Sequence, residues 1–228
     1  MPLISDTFTE AADTALTSHT PDTGTSWVQI AIVGLSFIEI KAADDAIAND
    51  AADIGGGQFC KSQPDPSSAA YDIELKVNVT DTGTANRRVR IHGRTADVSN
   101  YYAVRFLPTG HASNDTQLIK KVAGTVTELA TVDTGLIAND NFKLEIRDAT
   151  KKVYKNSMEI LSSSDNALTA AGSAGVSCGQ VDDNDTGNAI AATWRWDNYV
   201  VTEAAGGSAS VSPSVSPSAS LSPSASVS

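Results

Sequence analysis

The sequence is poor in cysteine, in aromatic residues and in positive charge, and it has no long apolar run. Two cysteines, Cys60 and Cys178, occur in 228 residues, so at most one intrachain disulfide is available and no paired-Cys or Cys/His zinc spacing can be assembled. The two read either as a disulfide pair, if their strands are neighbours, or as buried thiols packing like small hydrophobes. Lys and Arg number 16 against 27 Asp and Glu, a net charge of −11. Nucleic-acid affinity draws on basic residues gathered on one face, so neither nucleic acid nor an anionic membrane surface is an expected partner. The longest nearly apolar stretch, Ile30 to Ile38, is broken by Gly34 and Ser36 and falls far short of the roughly 20 residues that cross a bilayer, so no membrane insertion is expected. The first basic residue is Lys41, which leaves no recognisable Sec signal peptide at the start. Histidine is limited to His19, His92 and His111, none beside a Gly-x-Ser-x-Gly elbow, so nucleophilic catalysis finds no support.

What the sequence does have is alternation. Tyr71, Ile73, Leu75, Val77 and Val79 point one way while Asp72, Glu74, Lys76, Asn78 and Thr80 point the other, the pattern of a strand with one buried face. It recurs at 89–92, 102–106 and 142–147, and weaker strands are expected at 27–33, 36–41, 57–61, 117–122, 126–131, 151–155, 174–179 and 190–202. Clusters of Gly, Asp, Asn and Thr punctuate these runs as turns require. Only the Ala-rich 43–52 and the segment 10–17 suggest a helical turn. Many short strands without a long amphipathic helix argue for an all-β, two-sheet antiparallel β-sandwich. The composition changes after Glu203: from Ser208 to Ser228 every second residue is Ser, interspersed with Pro213, Pro217 and Pro223 and free of charge and aromatics. Such a segment has too little apolar surface to offset its ordering entropy. The division is therefore one domain over 1–204 and a Ser/Pro-rich linker or stalk over 205–228; the period of two would also suit a strand in an assembly.

The opening Ser5-Asp6-Thr7-Phe8-Thr9, with His19-Thr20-Pro21-Asp22-Thr23-Gly24 and Trp27, resembles the start of LamG-like, concanavalin A-like lectin/glucanase domains. So do Asn100-Tyr101-Tyr102-Ala103-Val104-Arg105-Phe106, the Lys152-Val153-Tyr154-Lys155-Asn156 turn with Ser157 in place of the usual Gly, and the close Trp196-Asp197-Asn198-Tyr199-Val200-Val201. The resemblance covers roughly residues 4–202. It implies a jelly-roll sandwich with first and last strands side by side. It does not imply one function, because this superfold hosts lectins, glycosidases and structural proteins alike. Members with Ser/Pro-rich appendages and no signal peptide resemble components of phage and other surface assemblies.

Glycoside hydrolysis needs two carboxylates about 5 to 10 Å apart across a cleft. The Glu-x-Asp-x-x-Glu run of the glucanases that share this fold is missing; Asp72-x-Glu74 is the nearest approach, and a solvated face with cross-strand charge pairs accounts for it better. Asp-Thr-Gly occurs at Asp22, Asp81, Asp133 and Asp185 and reads as turns, with Asp capping its own backbone and Gly supplying the positive φ. Asp182, Asn184 and Thr186 have the spacing of half an EF-hand loop and form a candidate Ca2+ site, although Thr193 stands where the loop's bidentate Glu belongs. Sugar recognition commonly pairs an aromatic platform with planar hydrogen-bonding groups. Arg90, His92, Tyr101 and Arg105, with Glu74, Arg88 and Arg94, supply such groups if their strands adjoin on the exposed side of one sheet. Trp194 and Trp196 fall on one face of the last strand and are assigned to the core, with Trp27 packing there too.

The sequence thus points to a non-catalytic, lectin-like sandwich of a virion or extracellular surface assembly, self-associating and contacting glycans through Arg90, His92, Tyr101 and Arg105. Two alternatives stand beside it: a structural, self-assembling subunit that binds no sugar, and a glycoside hydrolase of the same fold.

Overall fold

A computed structural model describes residues 1–33, 38–49, 57–79, 89–106, 116–179 and 195–204. The strands run in order β1 (Ile4–Asp6), β2 (Thr14–Ala15), β3 (Ser26–Val33), β4 (Ile38–Lys41), β5 (Ala46–Asn49), β6 (Gly57–Gln63), β7 (Tyr71–Val79) and β8 (Val89–Asp97). They continue with β9 (Asn100–Phe106), β10 (Thr116–Val122), β11 (Thr125–Val132), β12 (Asn141–Ile146), β13 (Thr150–Lys155), β14 (Met158–Ser164), β15 (Ser173–Gly179) and β16 (Arg195–Glu203). Among the described residues the one helical element is a 3-10 turn at Leu16–Ser18.

The strands form two antiparallel sheets. Nine make the first, in the order β14-β13-β12-β7-β16-β5-β4-β2 with β1 also on β16; seven make the second, β11-β10-β9-β8-β15-β6-β3. The first and last strands do lie side by side, Ile4 opposite Val201 and Asp6 opposite Tyr199. Burial follows the alternation: Tyr71, Ile73, Leu75 and Val77 are buried while Glu74 between them is exposed. From the seven-stranded sheet Ile91, Val104, Phe106, Leu118 and Val176 join the same core. Its aromatic centre sets Trp196 at 4.9 Å from Phe106 and Trp27 at 4.9 Å from Tyr199. Burying side chains of this size is worth about 1.5–3 kcal/mol each, which makes them the main anchors between the sheets.

Sequence and structure part company in three places. In place of the helical turn expected at 43–52, the chain turns at 42–45 and then forms β5, whose Ala46, Ile47 and Ala48 are buried against β4 and β16; tertiary pairing outweighs the helix preference of alanine. Residues 50–52 lie outside the described residues. The helical turn expected at 10–17 is likewise displaced: Thr14–Ala15 pairs with β4, and the 3-10 turn begins only at Leu16. Strand β14 has no counterpart in the sequence reading, because it is an edge strand on which Leu161 alone is fully buried and alternation has nothing to report.

Candidate functional site

Period-two alternation sends Arg90 and His92 to the face of the seven-stranded sheet opposite Val89 and Ile91. Pairing of β8 with β9 then sets Arg105 directly opposite Arg90 and Ala103 opposite His92. On the other flank Ser177 faces Arg90, and Phe59 faces Ser177. One row thus crosses five strands as Phe59, Ser177, Arg90, Arg105 and Gln117. Gly175 stands opposite His92, and a Cβ there would meet the backbone of Cys60 on β6.

The four residues singled out from sequence, Arg90, His92, Tyr101 and Arg105, are brought together on this face. His92 stacks on Phe59 with ring centroids 4.0 Å apart and meets the edge of Tyr101 at 4.7 Å, while its Nε2 is 2.7 Å from the Ser177 hydroxyl. Arg105 donates through Nε to the Gln117 side-chain oxygen at 2.8 Å, and Lys121 lies over the Tyr101 ring. The expected exposure is not found: Arg90 and His92 are 0% and Tyr101 1% exposed, and only Arg105 is half-buried. A second apolar cluster shares this side, made by Phe59, Tyr101, Ala103 and Ile119 with Ile30, Ala31 and Val126 against it. The planar polar groups are set into that cluster instead of standing in solvent.

Other members of the expected surface are elsewhere. Glu74 is on β7, in the other sheet. Arg94 is carried off by a bulge, where the pairings of β8 with β9 and β15 both shift and its own φ is 48°. Its guanidinium donates instead to the carbonyls of Ala69 (2.8 Å), Asp148 (3.1 Å) and Leu168 (2.6 Å), fastening three loops. Arg88, Trp194, His111 and the candidate Ca2+ ligands Asp182, Asn184 and Thr186 lie outside the described residues. Among the described residues no group of three or more His, Cys, Asp or Glu is placed to hold a metal ion.

Cys60 and Cys178 are buried free thiols on adjacent strands, two positions out of register, since Cys60 pairs with Val176 and Cys178 with Gln58. That diagonal relation spaces Cα atoms about 7–8 Å apart, beyond the usual reach of a disulfide. Burial pushes both thiols up to about 12, so neither is a nucleophilic thiolate. Of the Asp-Thr-Gly turns, those at Gly24 and Gly135 have the positive φ expected. Asp22, however, accepts from the Thr7 amide (2.9 Å) and hydroxyl (2.8 Å) and does not cap its own backbone. Asp72 is paired across strands with Arg147 at 2.8 Å, and Lys152 with Glu159 at 2.7 Å.

The opening segments that carry the family resemblance meet in a polar knot, which the sequence alone did not reveal. The buried Asp6 carboxylate accepts from the Phe8 amide (2.9 Å) and Trp27 Nε1 (2.7 Å), and it lies 2.9 Å from His19 Nε2. The other ring nitrogen of His19 is 2.6 Å from Glu10. Burial raises the Asp6 pKa above its ordinary value despite these bonds. Burial pulls His19 down, but the hydrogen bonds and charges of Glu10 and Asp6 outweigh it and leave its pKa raised. Asp6 and His19 lie on either side of a loop that returns to β1 through the Ser5–Thr23 bridge.

No protein-family model matches the sequence, and neither does any curated protein. Solved structures do match. A Bacillus subtilis protein of unknown function with a galectin-like fold superposes with a TM-score of 0.58 at 10% identity, over 85% of this chain and 95% of that one. A Mycobacterium abscessus protein provisionally named a beta-glucanase gives 0.55 at 11% identity, over 89% and 100%. The carbohydrate-binding module CBM66 of Bacillus subtilis gives 0.51 at 15% identity, over 75% and 94%. The chain has a galectin-like jelly-roll β-sandwich fold. At these identities the likeness is one of fold alone.

Proposed function

We propose that the chain is a non-catalytic glycan-binding module of a virion or extracellular surface assembly, with 1–204 as the recognition domain and 205–228 as its stalk. The observation that carries this reading is the row of Phe59, Ser177, Arg90, Arg105 and Gln117 beside the stacked His92 and Tyr101. Planar donors and amides set among aromatic rings are the groups that recognise sugars, whose hydroxyls accept from guanidinium groups and whose C–H faces pack on aromatics. Arg105, the half-buried member, is where a ligand first meets the row. The fold shared with a carbohydrate-binding module supports the reading, and so does the engagement of Asp72 by Arg147, which withdraws one acid of the nearest candidate pair. The alternating Ser/Pro segment, without charge or aromatic residues, suits a displayed stalk.

A glycan array probed with the full chain, with and without calcium, tests this reading. We expect retention on a defined set of glycans and its weakening by about tenfold or more in Arg105→Ala, as for truncation of a central polar contact. No retained glycan under either condition, in a chain that melts cooperatively, would refute it and leave the self-assembling subunit as the better account. Calcium dependence would point to Asp182, Asn184 and Thr186.

A further inference from the structure

The other sheet carries a cleft of its own. It has a volume of about 240 Å³ and lies on the polar face of the nine-stranded sheet, among Glu74 on β7, Asn141 and Lys143 on β12, Tyr154 on β13, and Asn156 and Ser157 in the β13–β14 turn. Register puts Lys143 between Glu74 and Tyr154. Its ammonium lies 4.4 Å from the Tyr154 ring centroid and within 3.7–3.9 Å of Glu145 and Asp72, so it is committed to the protein. The Glu74 carboxylate, the Asn141 side-chain amide and the Ser157 hydroxyl are different. All three are exposed on the cleft, and none of them is hydrogen-bonded or ion-paired to another described residue.

The wall that presents them is rigid. The Asn156 side chain accepts from the Asn141 amide at 2.9 Å and donates to Asp140 at 2.8 Å, and Asp140 is itself paired with Lys155 at 2.9 Å. Asn156 and Ser157 form a two-residue turn with φ of 49° and 69°. At the second position of such a turn glycine is the unstrained residue. The serine there holds its hydroxyl at the cleft rim in a conformation that L-residues disfavour.

We propose that this cleft is a second saccharide subsite, holding one neutral sugar ring and independent of the Arg90–Arg105 face. A carboxylate, a primary amide and a hydroxyl beside an aromatic ring, one side of which carries the Lys143 ammonium, match the alternating hydroxyls and C–H surface of a sugar. One cation and one anion line the cleft, so it selects for no net charge. Its volume lies below the roughly 300–1,000 Å³ of sites for drug-sized ligands, which suits a single ring. Binding of one ring should be weak, with a dissociation constant on the order of 1–10 mM.

The test is a titration of the ¹⁵N-labelled full chain with glucose, galactose and fructose, each taken to about 100 mM to exceed that constant. At least one sugar should give saturable amide shifts at Asn141, Tyr154, Asn156 and Ser157, and these should persist in Arg105→Ala. Glu74→Gln and Tyr154→Ala should weaken binding by about threefold and tenfold respectively, the effects of losing a charged acceptor and the aromatic platform. Ser157→Gly should weaken binding about threefold yet raise the melting temperature by about 2–4 °C, because it removes strain together with the hydroxyl. A residue with a purely structural role would not separate the two effects in this way. Absence of saturable shifts with all three sugars, or affinity unchanged in Glu74→Gln and Ser157→Gly, would overturn the proposal while leaving the array result on the opposite sheet untouched.

Discussion

His19 shows how much one side chain can gather. It sits between two carboxylates, with Nε2 2.9 Å from Asp6 and Nδ1 2.6 Å from Glu10, and the Asp6 carboxylate in turn holds Trp27 at the edge of the core. Ionised carboxylates only accept hydrogen bonds, so the protonated imidazole satisfies both neighbours and neutral imidazole only one. Its pKa in the folded chain lies above the ordinary 6.5. A proton held more tightly by the folded than by the unfolded chain stabilises the fold below the unfolded pKa, and that contribution is lost as pH rises through the folded one. The raised Asp6 pKa acts in the same sense in its own, more acidic window. Urea denaturation from pH 6 upward should therefore show stability falling through and above about 6.5, a slope that His19→Gln removes. A wild-type profile that rises over this range would contradict the assignment.

At the level of strands, what could be read in advance was what alternation records. β7 was legible because its inner positions are all large and apolar and its outer ones all polar. β5 was not, since its short run of alanine and isoleucine reads as helix until β4 and β16 claim it. The site was half legible for the same reason. Period two correctly put Arg90, His92 and Arg105 on one face, but extending it to Arg94 fails at the bulge, and no periodicity could reveal that Glu74 belongs to the other sheet. Nor does alternation report that a face bearing Arg and His also holds Phe59 and Ile119 and is buried with them. Close approach is equally invisible. A Cβ on Gly175 would stand 2.3 Å from the Cys60 carbonyl oxygen, so β15 and β6 can pair at this point only through glycine. Gly175→Ala should cost about 1–3 kcal/mol or more by forcing β15 from β6, and because Gly175 pairs with His92 on β8 the displacement should also reach the His92 ring. Chemical denaturation measures the first effect and the ¹H shifts of His92 the second; a neutral substitution would mean that the two strands are not in this register.

For the whole molecule, the β-sandwich separates two outer faces with different chemistry. The nine-stranded sheet displays a solvated ladder of ion pairs such as Asp72–Arg147 and Lys152–Glu159, each worth little to stability. The seven-stranded sheet sets arginines and a histidine into an aromatic layer, within a chain whose net charge is −11. The proposed boundary at 204 is drawn just after the C-terminal ties among the described residues: Glu203 accepts from the Ser67 amide at 2.5 Å and hydroxyl at 2.8 Å, and the Ala204 amide donates to Ala70 at 3.0 Å. A chain of residues 1–204 should therefore melt within about 1 °C of the full chain, a difference that corresponds to well under 1 kcal/mol. A clearly lower melting temperature would show that 205–228 belongs to the folded unit. Light scattering on the same pair reports whether self-association depends on that segment.

The central claim is that glycans are held on the seven-stranded sheet. The structure of the full chain with an array-positive oligosaccharide tests it most directly. The account predicts a sugar ring within hydrogen-bonding distance of Arg105, beside Gln117 and the His92–Tyr101 pair. A well-ordered oligosaccharide bound elsewhere, with the Arg90–Arg105 row unchanged and out of contact, would contradict it.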